Sequence, residues 1–208
     1  MSKKQTLREF YSRWSEKVVE CDTNYLSGNF DKFFSQFIIF NRLYVEAAKI
    51  LVKENPEIDQ KFGISKRFSK ASKEQRIITR QNLPYDKWCA TVGIQIYCQQ
   101  TQFKELVFDV CHSELETIKS IARNRDLYFH EDYLTNIPLW DKDLEICERI
   151  ANKDIKAVLE FIYLVRCNLF HGEKEISQAQ IQLFQSINPV LSIINQHVFD
   201  TLMEDNRF

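Results

Sequence analysis

The chain has 208 residues, 44% of them hydrophobic and 27% charged, with a formal net charge of −1. This length suits one domain and buries a core without disulfide staples. The balanced charge excludes a global footprint for a polyanion, so any nucleic-acid contact must come from a local patch.

Four glycines and four prolines leave few breakers, which predicts long helices. The six cysteines (21, 89, 98, 111, 147 and 167) form no CxxC pair and read as reduced thiols in a cytoplasmic protein. No spacing of ligands suggests a metal or other cofactor.

In chain order, MSKKQTLREFYSRW is charged and lacks the apolar core of a signal peptide. Leu7, Phe10, Tyr11, Trp14 and Val18 predict a first helix over 5–20. Ser27-Gly28-Asn29 reads as a break. Phe33, Phe37, Phe40, Tyr44, Ala48 and Leu51 then form one stripe of a helix over 31–53. Phe34, Ile38 and Val45 widen the stripe, which predicts burial on two sides. Asn41, Arg42, Glu46 and Lys49 keep this run from being a membrane span, and Pro56 ends it.

Residues 61–80 carry seven basic side chains against one acid, Glu74. Lys66, Arg67, Lys70 and Lys73, with Arg76 and Arg80, could track a phosphate backbone; a solvated face explains them equally. Residues 84–104 fit a short strand or a helix. Helices are predicted over 104–124, 144–151, 155–171 and 181–203, the last bent at Pro189, with a loop over 125–143. His130-Glu131-Asp132 reads as surface loop, since adjacent side chains diverge. His112 and His197 read as structural, and Trp14, Trp88 and Trp140 as core.

The stretch YLVRCNLFHGEK, 163–174, ends the most apolar of these helices. Arg166 has Ile162, Tyr163, Leu169 and Phe170 as its one-turn neighbours. A guanidinium there must meet a carboxylate, a cluster of carbonyls or an anionic ligand, because burying it unpaired costs several kcal/mol. Asn41 is similarly misplaced, between Phe37, Ile38, Tyr44 and Val45. Two apolar helices, each with a polar group on its inner face, predict a shared polar pocket. His171 lies about 140° from Arg166 around a regular helix, so the two do not stack on one face. Gly172 is placed to cap the helix.

Arg166-Cys-Asn-Leu-Phe-His171, followed by Gly172 and Lys174, resembles the arginine-x4-histidine signature of the HEPN superfamily. FFSQFIIFNRLY, 33–44, is similar to the first helix of those domains. The resemblance covers about 30–55 and 155–203. It implies an all-α, up-and-down bundle of roughly five to seven helices, with 31–53 packed antiparallel to 155–171. Residues 1–208 would be a single domain in which 57–150 elaborate the family core.

It further implies a metal-independent endoribonuclease, a toxin or phage-defence effector, with Arg166 and His171 as the catalytic pair. Asn41 and Asn168 would support the pocket, and Lys174 would join the basic segment in contacting RNA. Two copies would bring their motif helices to one cleft, which resolves the 140° separation. An antitoxin or defence-system protein is the further partner implied; Glu173, where a tyrosine marks members paired with nucleotidyltransferases, does not support that particular pairing. In such chemistry the RNA 2′-OH attacks its own phosphate, a histidine moves protons and an arginine clamps the phosphate oxygens, leaving a 2′,3′-cyclic phosphate. Cys167 stands where active members often carry a polar residue. The competing expectation is therefore a non-catalytic HEPN module for binding or dimerisation.

Overall fold

The computed structural model describes residues 2–55, 58, 85–132, 134–171 and 177–208, and of 100 and 169–171 the backbone alone. Among these residues the chain is helical, with no strand and one isolated bridge between Glu131 and Pro138. The helices are α1 (Lys3–Glu20), α2 (Leu26–Glu54), α3 (86–97), α4 (Gln100–Val110), α5 (His112–Arg123), α6 (Trp140–Ala151), α7 (Ile155–His171) and α8 (Gln178–Glu204). That is eight among the described residues, against the five to seven expected. The basic segment 61–80 and residues 172–174 lie outside them.

Local chemistry starts two of the helices. The Ser2 side chain accepts the Gln5 N–H at the start of α1. Ser177 and Gln180 form a reciprocal capping box at the start of α8.

Several expectations are corrected. Ser27-Gly28-Asn29 does not break the chain; it is the first turn of α2, and the turn lies at 21–25. The Asn29 amide donates to the carbonyls of Thr23 at 2.7 Å and Tyr25 at 3.0 Å, closing the corner. Gly28 is needed there, because a Cβ would fall 1.7 Å from the Asp22 carbonyl oxygen. The ambiguous 84–104 segment is helical, built as Asp86–Trp88, a π-helical turn Cys89–Gly93 and Ile94–Tyr97. The helix expected over 104–124 is two, parted at Cys111 (φ −105°, ψ 28°). The helix α6 begins at Trp140, inside the stretch read as loop. Pro189 lies within α8, which the assignment carries unbroken from Gln178 to Glu204. Pro189 and Gln185, whose carbonyl loses its partner, are both exposed, so water can serve the freed group.

The centre of the molecule is α2 with α8 along it. Asn188 and Asn195 of α8 donate to the carbonyls of Asn29 and Gln36, each at 3.0 Å. Both pairs advance by seven residues in the same sense, so the two helices run parallel. The helix α1 runs the other way over α8, with Lys4 donating to the Met203 carbonyl at 2.7 Å and Tyr11 stacked on Phe199 at 4.0 Å.

Residues 86–150 share this core: Trp88, Ile94, Phe103 and Ile118 belong to the same buried cluster as Phe40, Tyr44 and Phe161. Each such large apolar side chain contributes about 1.5–3 kcal/mol when fully buried. The helix α7 packs on α6 and on the π turn of α3. It reaches α2 through side chains, at the pairs Phe37/Arg166 and Tyr44/Tyr163, whose opposite order makes the two helices antiparallel. The expected intimate partner of α2, however, is α8.

A second clasp holds the far end. Arg207 bonds Asp205 at 2.7 Å and Glu54 at 2.6 Å, and Tyr97 donates to Asp205 at 2.7 Å. The Arg207 hydrogen bonds hold the Asp205 carboxyl well below the usual carboxylate range. All six cysteines are free thiols. Burial pushes Cys89 and Cys98 up to about 12, and Cys111 and Cys147 up to about 11, so these four act as small apolar side chains and not as nucleophiles. No described helix is long and apolar enough to cross a membrane.

Candidate functional site

Along α7, Val158, Phe161, Ile162 and Val165 face the core, whereas Tyr163, Leu164, Arg166, Cys167 and Asn168 are half-buried. The helix thus rises out of the core as it ends. Its polar residues sit at a rim and not inside, which corrects the buried position expected for Arg166. The guanidinium lies over two rings, 5.7 Å from the Phe37 centroid and 5.9 Å from that of Tyr163. Its Nη1 also points at the Cys167 sulfur, 3.9 Å away. Cation–π contacts of this kind contribute about 0.5–1 kcal/mol each while leaving the edge of the fork able to donate.

Beside the arginine runs a chain of hydrogen bonds. Asn41 donates to the Tyr44 hydroxyl through Nδ2. Tyr44 donates to Oδ1 of Asp86 at 2.7 Å, and Tyr163 donates to Oδ2 of the same carboxylate at 2.9 Å. Burial, with Asp86 as the next cause, pushes both phenols far above the ordinary tyrosine value and keeps them as donors. Asp86 is exposed in the first turn of α3, where a helix start favours an anion.

The expected grouping of Asn41 with Arg166 is therefore present, but through two tyrosines and an aspartate that the sequence did not single out. Asn41 is exposed and not buried. It belongs to a face of α2 that also carries Phe34 (40% exposed) and the half-buried Ile38 and Val45. This face was expected to be a second buried stripe.

Asn168 points elsewhere. Its amide donates to the Phe129 carbonyl at 2.6 Å and bolts the 124–139 loop to α7. The loop is held again by Asp143, whose side chain is fully buried. One Asp143 oxygen accepts the Phe129 N–H at 2.9 Å; the other takes the His130 N–H at 3.0 Å and His130 Nδ1 at 2.7 Å. His130 is thus not the unattached loop residue expected.

Helix register puts Asn168 about 200° and position 171 about 140° from Arg166. Position 171 is therefore nearer in angle to Asn168 than to Arg166. The side chain of His171 lies outside the described residues, as do Lys66, Arg67, Lys70 and Lys73, and also Arg76, Arg80 and Lys174.

Among the described residues no group of three or more His, Cys, Asp or Glu side chains could hold a metal ion. Trp88 is core, as expected, and Trp14 and Trp140 lie half-buried at its edge. His197 is stacked on Phe103 with ring centroids 5.5 Å apart, in keeping with its structural reading. No protein-family model, no curated protein and no solved structure matches the chain.

Proposed function

We propose that this protein is a metal-independent endoribonuclease of the HEPN type, with Arg166 and His171 as its catalytic pair. The observation that carries the reading is the Arg166 guanidinium, held over Phe37 and Tyr163 at the emerging end of an apolar helix. A cation so placed is ordered by its rings and can still clamp the non-bridging oxygens of a phosphate. His171, five residues on in the same helix, supplies a group that titrates near neutrality.

The up-and-down bundle and the homodimer are part of the same proposal. The uncovered α2 face of Phe34, Ile38, Asn41 and Val45, next to Tyr163 and Arg166, supports a second copy docking there. The basic residues 61–80 and Lys174 would track the RNA. A toxin or defence role, a cytoplasmic location and an antitoxin or defence-system partner follow from the resemblance alone.

The test is cleavage of RNA by the purified full chain in EDTA. It should leave 2′,3′-cyclic phosphate and 5′-OH ends, and His171→Ala should abolish it. Intact RNA with every substrate tried would end the ribonuclease reading. One observation favours the non-catalytic alternative: the exposed Asp86 carboxylate meets Arg166 at Tyr163. An anion there opposes an anionic substrate and suits a cationic or neutral ligand.

A further inference from the structure

Transesterification of RNA needs two proton transfers, one off the attacking 2′-OH and one onto the departing 5′-oxygen. An arginine and one histidine supply a single titratable group near neutrality. We infer that His130, oriented by Asp143, is the second one, the acid that protonates the 5′-oxygen; this rests on the ribonuclease reading above.

Three observations converge on it. Asp143 is fully buried, and both of its oxygens are committed to the 129–130 backbone and to the His130 ring. A carboxylate fixed at 2.7 Å from Nδ1 sets the tautomer and ring orientation, and leaves Nε2 as the nitrogen where a proton comes and goes. The His130 side chain is 28% exposed, so the ring is supported from behind yet reachable. Finally, the Asn168 amide ties the residue next to His130 to α7, three positions before 171. Positions 168 and 171 are one turn apart and neighbours on the helix surface. Two imidazoles therefore belong to the same end of one helix, brought there by a contact that spans 39 residues of sequence.

In the step itself, the 2′-oxygen bonds to phosphorus as its proton passes to His171. The bond from phosphorus to the 5′-oxygen breaks, and its electron pair stays on that oxygen. The Nε2 proton of the His130 imidazolium completes the 5′-OH, and water later restores it.

The experiment compares ordinary RNA with RNA carrying a bridging 5′-sulfur at the cleavage site, whose thiolate departs without a proton. For His130→Ala, cleavage of ordinary RNA should slow by about 10²–10⁴-fold, while the sulfur substrate should be cleaved nearly as by wild type. His130→Asn, which keeps a donor for Asp143, should behave like the alanine variant with an unchanged circular dichroism melt. His171→Ala should slow both substrates. Equal slowing of both substrates by His130→Ala, or wild-type rates on ordinary RNA, would overturn the assignment while leaving the ribonuclease reading intact. A wild-type chain that cleaves neither substrate removes both.

Discussion

The α2–α8 seam and the emerging end of α7 both place polar side chains on apolar helices, and they use them in opposite ways. In the seam, Asn188 and Asn195 are 2% exposed, and their amides are spent on α2 carbonyls. Those carbonyls already serve the helix and accept through a second lone pair. The result is a fixed register, with nothing left over for a ligand. At the end of α7, Arg166, Tyr163 and Asn41 bond to one another and to Asp86, with all of them half-buried or exposed. Their remaining donors face solvent. In sequence the two sets look alike; accessibility separates a structural polar group from a candidate functional one.

Substitutions should break the two regions differently. The largest effects belong to α7. Arg166→Ala should lower RNA cleavage by about 10²–10³-fold through lost charge stabilisation. Its melting temperature should stay within a few degrees of wild type, since two rim cation–π contacts are the stabilising contacts removed. Unfolding or loss of an otherwise stable dimer would instead make the arginine a structural partner. Asn41→Ala should give a smaller loss of activity, because its amide acts on the site through Tyr44.

The seam should show the reverse. The double variant Asn188→Ala, Asn195→Ala should cost about 2 kcal/mol, near 1 kcal/mol per hydrogen bond. For a chain of this size that lowers Tm by about 4–8 °C, with cleavage per folded molecule unchanged. Loss of activity without loss of stability would erase the contrast between the regions. The Gln36 side chain is 2% exposed, and neither amide atom has a hydrogen-bond partner. Gln36→Met should therefore raise stability by about 1 kcal/mol, as read by denaturant midpoint.

The smallest effect expected is a pH slope from His197. Burial lowers its folded pKa below 6.5, against the opposing charges of Asp200 and Glu204. Between the folded value and 6.5 the unfolded chain binds more protons than the folded one, so stability rises with pH across that window and is lost as pH falls through it. Chemical denaturation in steps from pH 7 downward should show the decline, and His197→Leu should flatten it.

How much was legible follows from distance along the chain. The helices α1, α2, α7 and α8 declared themselves through apolar residues repeating at helical spacing. The motif arginine stood out because its one-turn neighbours are apolar. Segment 84–104 did not declare itself, since the run Thr91-Val92-Gly93-Ile94 fits either period and its π turn is set by packing on α2 and α7. Asp86 gave no signal, because its partners Tyr44 and Tyr163 lie 42 and 77 residues away. The HED triplet at 130–132 was read from its adjacent residues, whereas the true partner of His130 is thirteen residues on.

Sequence alone therefore determined the helical class, the long buried segments and the odd arginine, because periodicity and local bonding act within a few residues. Only the tertiary structure decided that α8, and not α7, lies along α2, that Asn41 sits in the open, and that Asp86 and Asp143 gather tyrosines and a histidine around the end of α7. Those outcomes depend on which helix faces meet, and residues far apart in the chain fix that choice together when the core closes.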